Sequence, residues 1–282
     1  MSPRRDDGAV HKEDKHVFRY LKRVDLVVEV LDARLPRTSR NDRLHQTLAG
    51  KRRLVMLNKA DLADKTETGR WLSYLAEQNG PVLAFSSKGL ADLPRFEALL
   101  QKERPRQGKF KRPLRLMVVG IPNVGKSSVI NRLAHKLAVK TGNTPGITRG
   151  AQWIRLRAGW EMLDTPGILS PHLSPEKLSP GLAVIGAVSP QLYDDETVAL
   201  WLVSRLQEKK RYLDLLFKHY HLGAIPENAS LEQYLERIAS SRGLLTGGGG
   251  ASREKAAQLL LSDFRKGALG RMTLEVPEDQ HA

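Results

Sequence analysis

Two stretches of this chain, with a loop between them, have the residue types and spacing needed to hold a nucleoside triphosphate. The first is GIPNVGKS, Gly120 to Ser127. It fits G-x-x-x-x-G-K-[ST] and lies between an apolar run and a helix-forming stretch, the setting a phosphate-binding loop requires. Glycines let such a loop curl until successive N–H groups point inward. The amides of Asn123, Val124, Gly125, Lys126, Ser127 and Ser128 are therefore candidates to cradle phosphate. Lys126 is placed to reach the β- and γ-phosphates, and the Ser127 hydroxyl to ligate Mg²⁺. The second stretch is DTPG, Asp164 to Gly167. Here Asp164 would hold Mg²⁺ through water, and the Gly167 amide would bond the γ-phosphate and register its loss. Between them, NTPGITRG (143–150) offers a threonine to the metal and the γ-phosphate. Thr148 is the choice, with Thr141 and Thr144 as the alternatives.

A further pair of loops addresses the base. NKAD, Asn58 to Asp61, follows the apolar run RLVML. A carboxylate on the Watson–Crick edge of guanine accepts from N1–H and from the exocyclic N2 amine, and adenine has neither donor there. Burying Asp61 unpaired costs several kcal/mol, which favours guanine. Asn58 would bind the base edge at N7 and brace the phosphate loop, and Lys59 would stack its stem on the base. SSK (Ser86, Ser87, Lys88) ends the next apolar run and offers a backbone N–H to the guanine carbonyl.

Strands must carry these loops. Buried strands are expected at 24–34, 53–61, 81–87 and 114–120, with helices near 12–24, 66–79, 93–103 and 126–138. Residues 151–157 and 160–165 read as a hairpin around Ala158–Gly159. Strands alternating with helices indicate a mostly parallel sheet covered on both faces. After Pro171 the pattern turns helical, with segments near 176–188, 194–205, 208–219, 231–239 and 253–266, and Gly247 to Gly250 reads as a flexible loop. The expected division is a nucleotide-binding domain over 1–171 and a small all-α domain over 172–282.

Composition narrows the class. The 282 residues are 40% hydrophobic and include no cysteine, which excludes disulfides, thiolate zinc sites and a cysteine nucleophile. No run is long and apolar enough to span a membrane, and the acidic residues Asp6, Asp7, Glu13 and Asp14 argue against a presequence. A cytoplasmic protein with no membrane partner is expected. The net charge of +15 favours a polyanionic partner, since Lys and Arg release counterions from phosphates. The excess falls in the first 170 residues, and the last 112 are close to neutral. One run is densely basic: Lys102, Arg104, Arg106, Lys109, Lys111, Arg112 and Arg115. His219 and His221 flank Tyr220, but two histidines without a third ligand make no metal site.

The loop order is unusual. The base-reading loops precede the phosphate loop, and the two γ-phosphate-sensing segments come last, whereas Ras-like chains begin with the phosphate loop. One site results only if the chain is circularly permuted, with the basic stretch 102–113 joining the former ends. This order resembles the circularly permuted GTPases of ribosome assembly, and most closely the YlqF/RbgA family. The resemblance extends to VVEVLDARLPRTSRN (27–41) ahead of NKAD and to the Gly- and Leu-rich pattern ending LGRMTLE (269–275). It implies a permuted P-loop GTPase fold and the cofactors GTP or GDP and Mg²⁺. It also implies GTP hydrolysis in maturation of the large ribosomal subunit, with rRNA bound in the GTP state and no DNA. A monomer is expected. The competing reading is a GTPase switch acting on a protein or a tRNA. Because DTPG runs directly into the helical part, γ-phosphate ordering is also expected to tilt that part.

Hydrolysis raises a separate question. Ras-like enzymes position the attacking water with a Gln beside the DxxG glycine, and Ile168 stands there. Intrinsic turnover is therefore expected to be slow. Asn123 is placed as in GTPases that bind K⁺ beside the β- and γ-phosphates. A ribosomal partner surface is the other route to completing the site. The family's N-terminus carries Pro-Gly-His-Met, whose His is proposed as catalytic. This chain begins MSPRRDDGAVHKEDKH, and neither His11 nor His16 matches that context, so the role is not carried over.

Overall fold

The apolar run near the start of the chain is a strand buried from end to end, β1 (Leu26–Asp32). Its even-numbered side chains Leu26, Val28 and Val30 join one apolar cluster, and Val27 and Leu31 join others. A strand covered on both faces needs no polar alternation, so it reads as a continuous apolar stretch. The computed structural model describes residues 20–89, 91–103, 112–137, 152–164, 179–226 and 228–277.

Five more strands complete the sheet: β2 (Arg52–Asn58), β3 (Val82–Ala84), β4 (Leu114–Val119), β5 (Gln152–Leu156) and β6 (Trp160–Asp164). The spatial order is β3-β2-β1-β4-β6-β5. All neighbours run parallel except β5, which forms the expected hairpin with β6. The helices between the strands are α1 (Asp42–Thr47), α2 (Lys65–Asn79), α3 (Leu93–Lys102) and α4 (Lys126–Leu137). Leu93, Phe96 and Leu100 of α3 and Val129, Ile130 and Leu133 of α4 share a cluster with Val28 and Val30. Trp71 and Leu75 of α2 pack with Leu31, Val55 and Leu57 instead. The sheet is thus covered on both sides.

The order fixes the geometry of the site. The fourth strand in sequence, β4, lies between the first, β1, and the last, β6. The carboxyl ends of β2, β3, β4 and β6 face the same edge because these strands are parallel, and open α/β sheets bind ligands at that edge. The loops 58–61, 86–88 and 120–127 and residue Asp164 are brought there from across the chain. The permuted order read from the sequence is therefore the order the sheet is threaded in. The ends of the 102–113 join are anchored: Arg52 donates to the Glu103 carbonyl, and Arg112 makes a bidentate pair with Asp25 (2.6 and 2.9 Å). Arg115 pairs with Glu161 at 3.1 Å. Arg112 and Arg115 are thus committed to internal partners.

The remaining helices are α5 (Pro180–Val184), α6 (Asp195–Gln207), α7 (Lys210–Tyr220), α8 (Leu231–Ser241) and α9 (Arg253–Lys266). Within the described residues, α5 is much shorter than the helix expected over 176–188. Ser179 caps it, Pro180 opens it, and Gly186 turns the chain out at φ +72°. The Gly247–Gly250 run lies in a closed turn, with Thr246 and Gly250 bonded and a bridge between Leu245 and Ala251. His219 bonds Asp263 at 2.9 Å across helices, and no metal-holding cluster occurs among the described residues.

The helical part is bound to the sheet part at several points. Met272 N–H donates to the Leu62 carbonyl and Leu274 N–H to that of Arg34. Glu275 accepts from the Arg37 and Thr38 amides, and Lys209 pairs with Glu67 at 2.8 Å. One apolar cluster runs through both parts. Thr165 to Gly167, from which a tilt of the helical part is expected to be driven, lie outside the described residues.

Candidate nucleotide-binding site

The phosphate loop leaves β4 at Gly120, whose φ is +151°. A Cβ there would lie 2.5 Å from the Val30 carbonyl oxygen, so the close passage of β4 beside β1 excludes any side chain. The loop then turns through two left-handed residues, Asn123 (φ +60°) and Gly125 (φ +96°). A Cβ on Gly125 would overlap the Asn58 side-chain amide. Backbone N–H groups in such a turn, followed at once by α4, make an anion-binding concavity at a helix N-terminus. Lys126 opens the helix, and Ser127 and Ser128 are exposed on its first turn. The Lys126 Nζ donates to the Ile121 carbonyl at 2.9 Å, and burial lowers its pKa to about 8.

The NKAD loop is braced directly against this turn. Asn58 Nδ2 donates to the Val124 carbonyl at 2.8 Å, and Lys59 Nζ donates to the Asn123 carbonyl at 2.6 Å. The Val124 bond fixes which end of the Asn58 amide carries nitrogen. Asn58 Oδ1 is buried with no protein partner among the described residues. Lys59 adopts φ +60° and sits 2.8 Å from Asp32 Oδ2. Burial depresses the Lys59 pKa, with Asp32 working against it. Burial alone would raise that of Asp32, but the Arg34 and Lys59 cations outweigh it and hold the carboxyl far below the usual range.

Asp61 is oriented from the neighbouring loop. Ser86 Oγ donates to its Oδ1 at 2.9 Å, and Lys88 Nζ lies 3.6 Å from its Oδ2. The Ser86 amide is committed to Asp92 Oδ2 and the Lys88 amide to Ser86 Oγ. Arg132 of α4 donates to the Gly89 carbonyl, tying the 86–89 loop to the helix behind the phosphate loop.

Asp164 is the last residue of β6, at the carboxyl edge beside β4. Thr141, Thr144, Thr148, Gly167 and Ile168 lie outside the described residues, as do His11 and His16. The structure thus brings together Asn58, Lys59, Asp61, Ser86, Lys88, Asn123, Val124, Gly125 and Lys126. The sequence reading did not single out Asp32 and Arg34. Their signal was the Asp-Ala-Arg that directly ends a buried strand, where an acid and a base have no reason to follow unless they pair.

These residues fit a guanine nucleotide. A left-handed turn opening a helix, a half-buried lysine, an Asn58 amide nitrogen with one hydrogen to spare beyond Val124 and an oriented Asp61 converge at one sheet edge. The fold and this loop set define a P-loop GTPase threaded in circularly permuted order. The comparisons agree. A family model described as a 50S ribosome-binding GTPase matches residues 115–232. The chain is 37% identical over 279 residues to the ribosome biogenesis GTPase A of Bacillus cereus, covering 96% of this chain and 93% of that protein. It is 32% identical over 272 residues to the same protein of Thermotoga maritima, covering 96% and 94%. The crystal structure of GNP-bound YlqF from T. maritima matches with a TM-score of 0.65 at 27% identity, over 95% of this chain and 100% of that one. The chain belongs to the ribosome biogenesis GTPase A family.

Proposed function

We propose that this chain hydrolyses GTP to drive maturation of the large ribosomal subunit, engaging precursor particles and their rRNA in the GTP state and leaving after hydrolysis. The observation that carries the reading is the direct brace between the base-reading and phosphate loops, Asn58 to Val124 and Lys59 to Asn123. It stands in a chain similar over nearly its whole length to proteins named ribosome biogenesis GTPase A.

In this reading Asp61 accepts from the guanine N1–H and N2 amine, and the second Nδ2 hydrogen of Asn58, the one not given to Val124, donates to N7. With the Ser86 and Lys88 amides already committed, the Ser87 amide is the donor for the guanine carbonyl. The amides of residues 123–128 and the Lys126 ammonium hold the phosphates. Ser127, Thr148 and Asp164 are the Mg²⁺ set, and the ion supplies charge neutralisation on the β- and γ-phosphates. The Gly167 amide senses the γ-phosphate. Asn123 orients a K⁺ ligand: its Nδ2 is committed to the Gly186 carbonyl, which directs Oδ1, the atom a cation uses. Ile168 cannot orient water, so turnover is slow until K⁺ and a precursor particle complete the site. The chain acts as a cytoplasmic monomer. Residues 1–171 carry the nucleotide chemistry and most of the positive charge, and 172–282 form the helical part. Among the described residues, no helix is long and apolar enough to cross a membrane.

The test is GTP turnover with and without large-subunit precursors, in K⁺ and in Na⁺. Strong stimulation by particles, salt-sensitive particle binding and a K⁺ preference are expected. Turnover unmoved by particles would point to a protein or tRNA target instead, and salt-insensitive binding to the protein alternative.

A further inference from the structure

Arg34 is among the largest side chains fully buried in the molecule, at 1% exposure, and Asp32 beside it is at 0%. Burying an ion pair this completely is costly unless every polar atom is engaged. Arg34 Nε donates to Asp32 Oδ1 at 3.0 Å and Nη2 donates to Oδ2 at 2.8 Å, a bidentate pair. Lys59 Nζ lies 2.8 Å from the same Oδ2. The third guanidinium nitrogen points the other way. Nη1 donates to the carbonyls of Phe264 (2.6 Å) and Arg265 (3.4 Å), in the last turn of α9. The guanidinium also lies 4.7 Å from the centre of the Phe264 ring. Last-turn carbonyls are the negative end of a helix, so a buried cation there is well matched.

A second path leaves the same turn. The Arg265 side chain donates to the carbonyls of Ala183 (2.8 Å) and Val184 (3.0 Å) and to the Tyr193 hydroxyl (2.9 Å). That holds the bend at Gly186, whose carbonyl accepts from Asn123 Nδ2. Lys59 donates to the Asn123 carbonyl, so the contacts close on themselves: α9, Arg34, Asp32, Lys59, Asn123, Gly186, Arg265 and back to α9.

We propose that Asp32 and Arg34 are positioning residues for the nucleotide loops, acting through Lys59, and that they link the seating of the last turn of α9 to guanine-nucleotide affinity. A lysine has a flexible four-carbon stem, and among the described residues Asp32 and the Asn123 carbonyl hold the Lys59 nitrogen. Asp32 is in turn fixed by an arginine whose remaining donor is anchored on α9. By reciprocity, nucleotide binding strengthens the hold on α9 by the factor that α9 strengthens nucleotide binding. Lys59 belongs to the base-reading loop, which meets the same group in GDP and in GTP. This link therefore distinguishes occupied from empty protein and leaves discrimination of GTP from GDP to residues 164–167. The inference rests on the reading of 58–61 as the guanine loop.

The experiment compares affinity for fluorescent GDP and GTP analogues in the full chain carrying Arg34→Gln, Arg34→Lys or Glu275→Gln. Glu275 also joins the C-terminal segment to residues 37–38, but makes no bond to Asp32 or Lys59. Arg34→Gln is expected to weaken both nucleotides equally, by about tenfold, within the usual range of site-to-site couplings. Arg34→Lys keeps a cation beside Asp32 but cannot also span to two carbonyls, so a smaller loss of the same kind is expected; this variant decides the matter if the Gln variant does not fold. Glu275→Gln should bind within about twofold of the parent, below the range expected of a coupled site. Hydrogen exchange supplies the reciprocal readout: GDP should slow exchange in residues 261–267 of the parent and fail to do so in saturated Arg34→Gln. Parental affinity in the Arg34 variants, or an equal loss in Glu275→Gln, would overturn the proposal. Failure of the guanine-loop reading is separately visible, because Asp61→Asn would then leave base preference unchanged.

Discussion

Replacing Asp61 by Asn should move the preferred base from guanine to xanthine. The Asp61 carboxylate is held before any base arrives, by Ser86 Oγ at 2.9 Å on one oxygen and Lys88 Nζ at 3.6 Å from the other, with the side chain 27% exposed. Two charge-assisted bonds to guanine, at about 1.5–3 kcal/mol each, depend on both oxygens being acceptors. Asparagine keeps one acceptor and turns an NH₂ toward the N2 amine, donor against donor. The N2 bond, about 1.5–3 kcal/mol, is lost and the opposed donors cost about 1–3 kcal/mol more, together roughly 10²–10⁴-fold in affinity for GDP. Xanthine carries a carbonyl where guanine carries that amine, so the new NH₂ gains a partner. Competition of GDP and XDP against a fluorescent guanine nucleotide reads the exchange. The parent should prefer GDP and the variant XDP. Ser86→Ala is the companion: it removes the orienting bond, should weaken GDP about three- to tenfold, and should leave the preference intact. An Asp61→Asn protein that binds GDP as the parent does would refute the assignment of this carboxylate to the base.

Two further outcomes are expected. Burial places the Lys126 pKa at about 8 in the empty protein, and phosphate binds its charged form. Binding therefore takes up a proton above that pH: affinity is flat in mild acid and falls about tenfold per pH unit once the free lysine is mostly neutral. Calorimetry at about pH 9 in buffers of different ionisation heat should detect the uptake, and Lys126→Met should abolish it. Gly125→Ala places a methyl on the Asn58 amide in a left-handed position. The strain is about 1–2 kcal/mol and the displaced Asn58–Val124 bond about 1 kcal/mol, so GDP affinity should drop at least tenfold in the same fluorescence titration.

Much of the site was legible because short-range rules govern it. A phosphate loop needs glycines at fixed offsets, a lysine and a helix start, and Gly120 to Ser127 supply all three. NKAD and SSK were readable by their positions at the ends of apolar runs. Strand and helix positions were also readable, since strands buried on both faces are continuously apolar and amphipathic helices are periodic. The permuted order followed from comparing loop order with the geometry that one site demands.

Other features depended on distant segments meeting. The helix expected over 176–188 is short in its described part: Ser179 caps it and Gly186 turns the chain, with the Gly186 carbonyl meeting Asn123, 63 residues away in the chain. Arg112 and Arg115, read from the sequence as part of a basic run, are also paired with Asp25 and Glu161 while their side chains stay 58% and 34% exposed. The sequence by itself determined which loops exist and what each could bind, because composition at fixed spacing limits local backbone conformation. Only the tertiary structure decided that Arg34 reaches 230 residues along the chain to the last turn of α9. A buried charge takes whatever partner the packed chain brings to it, and no local pattern records which partner that will be.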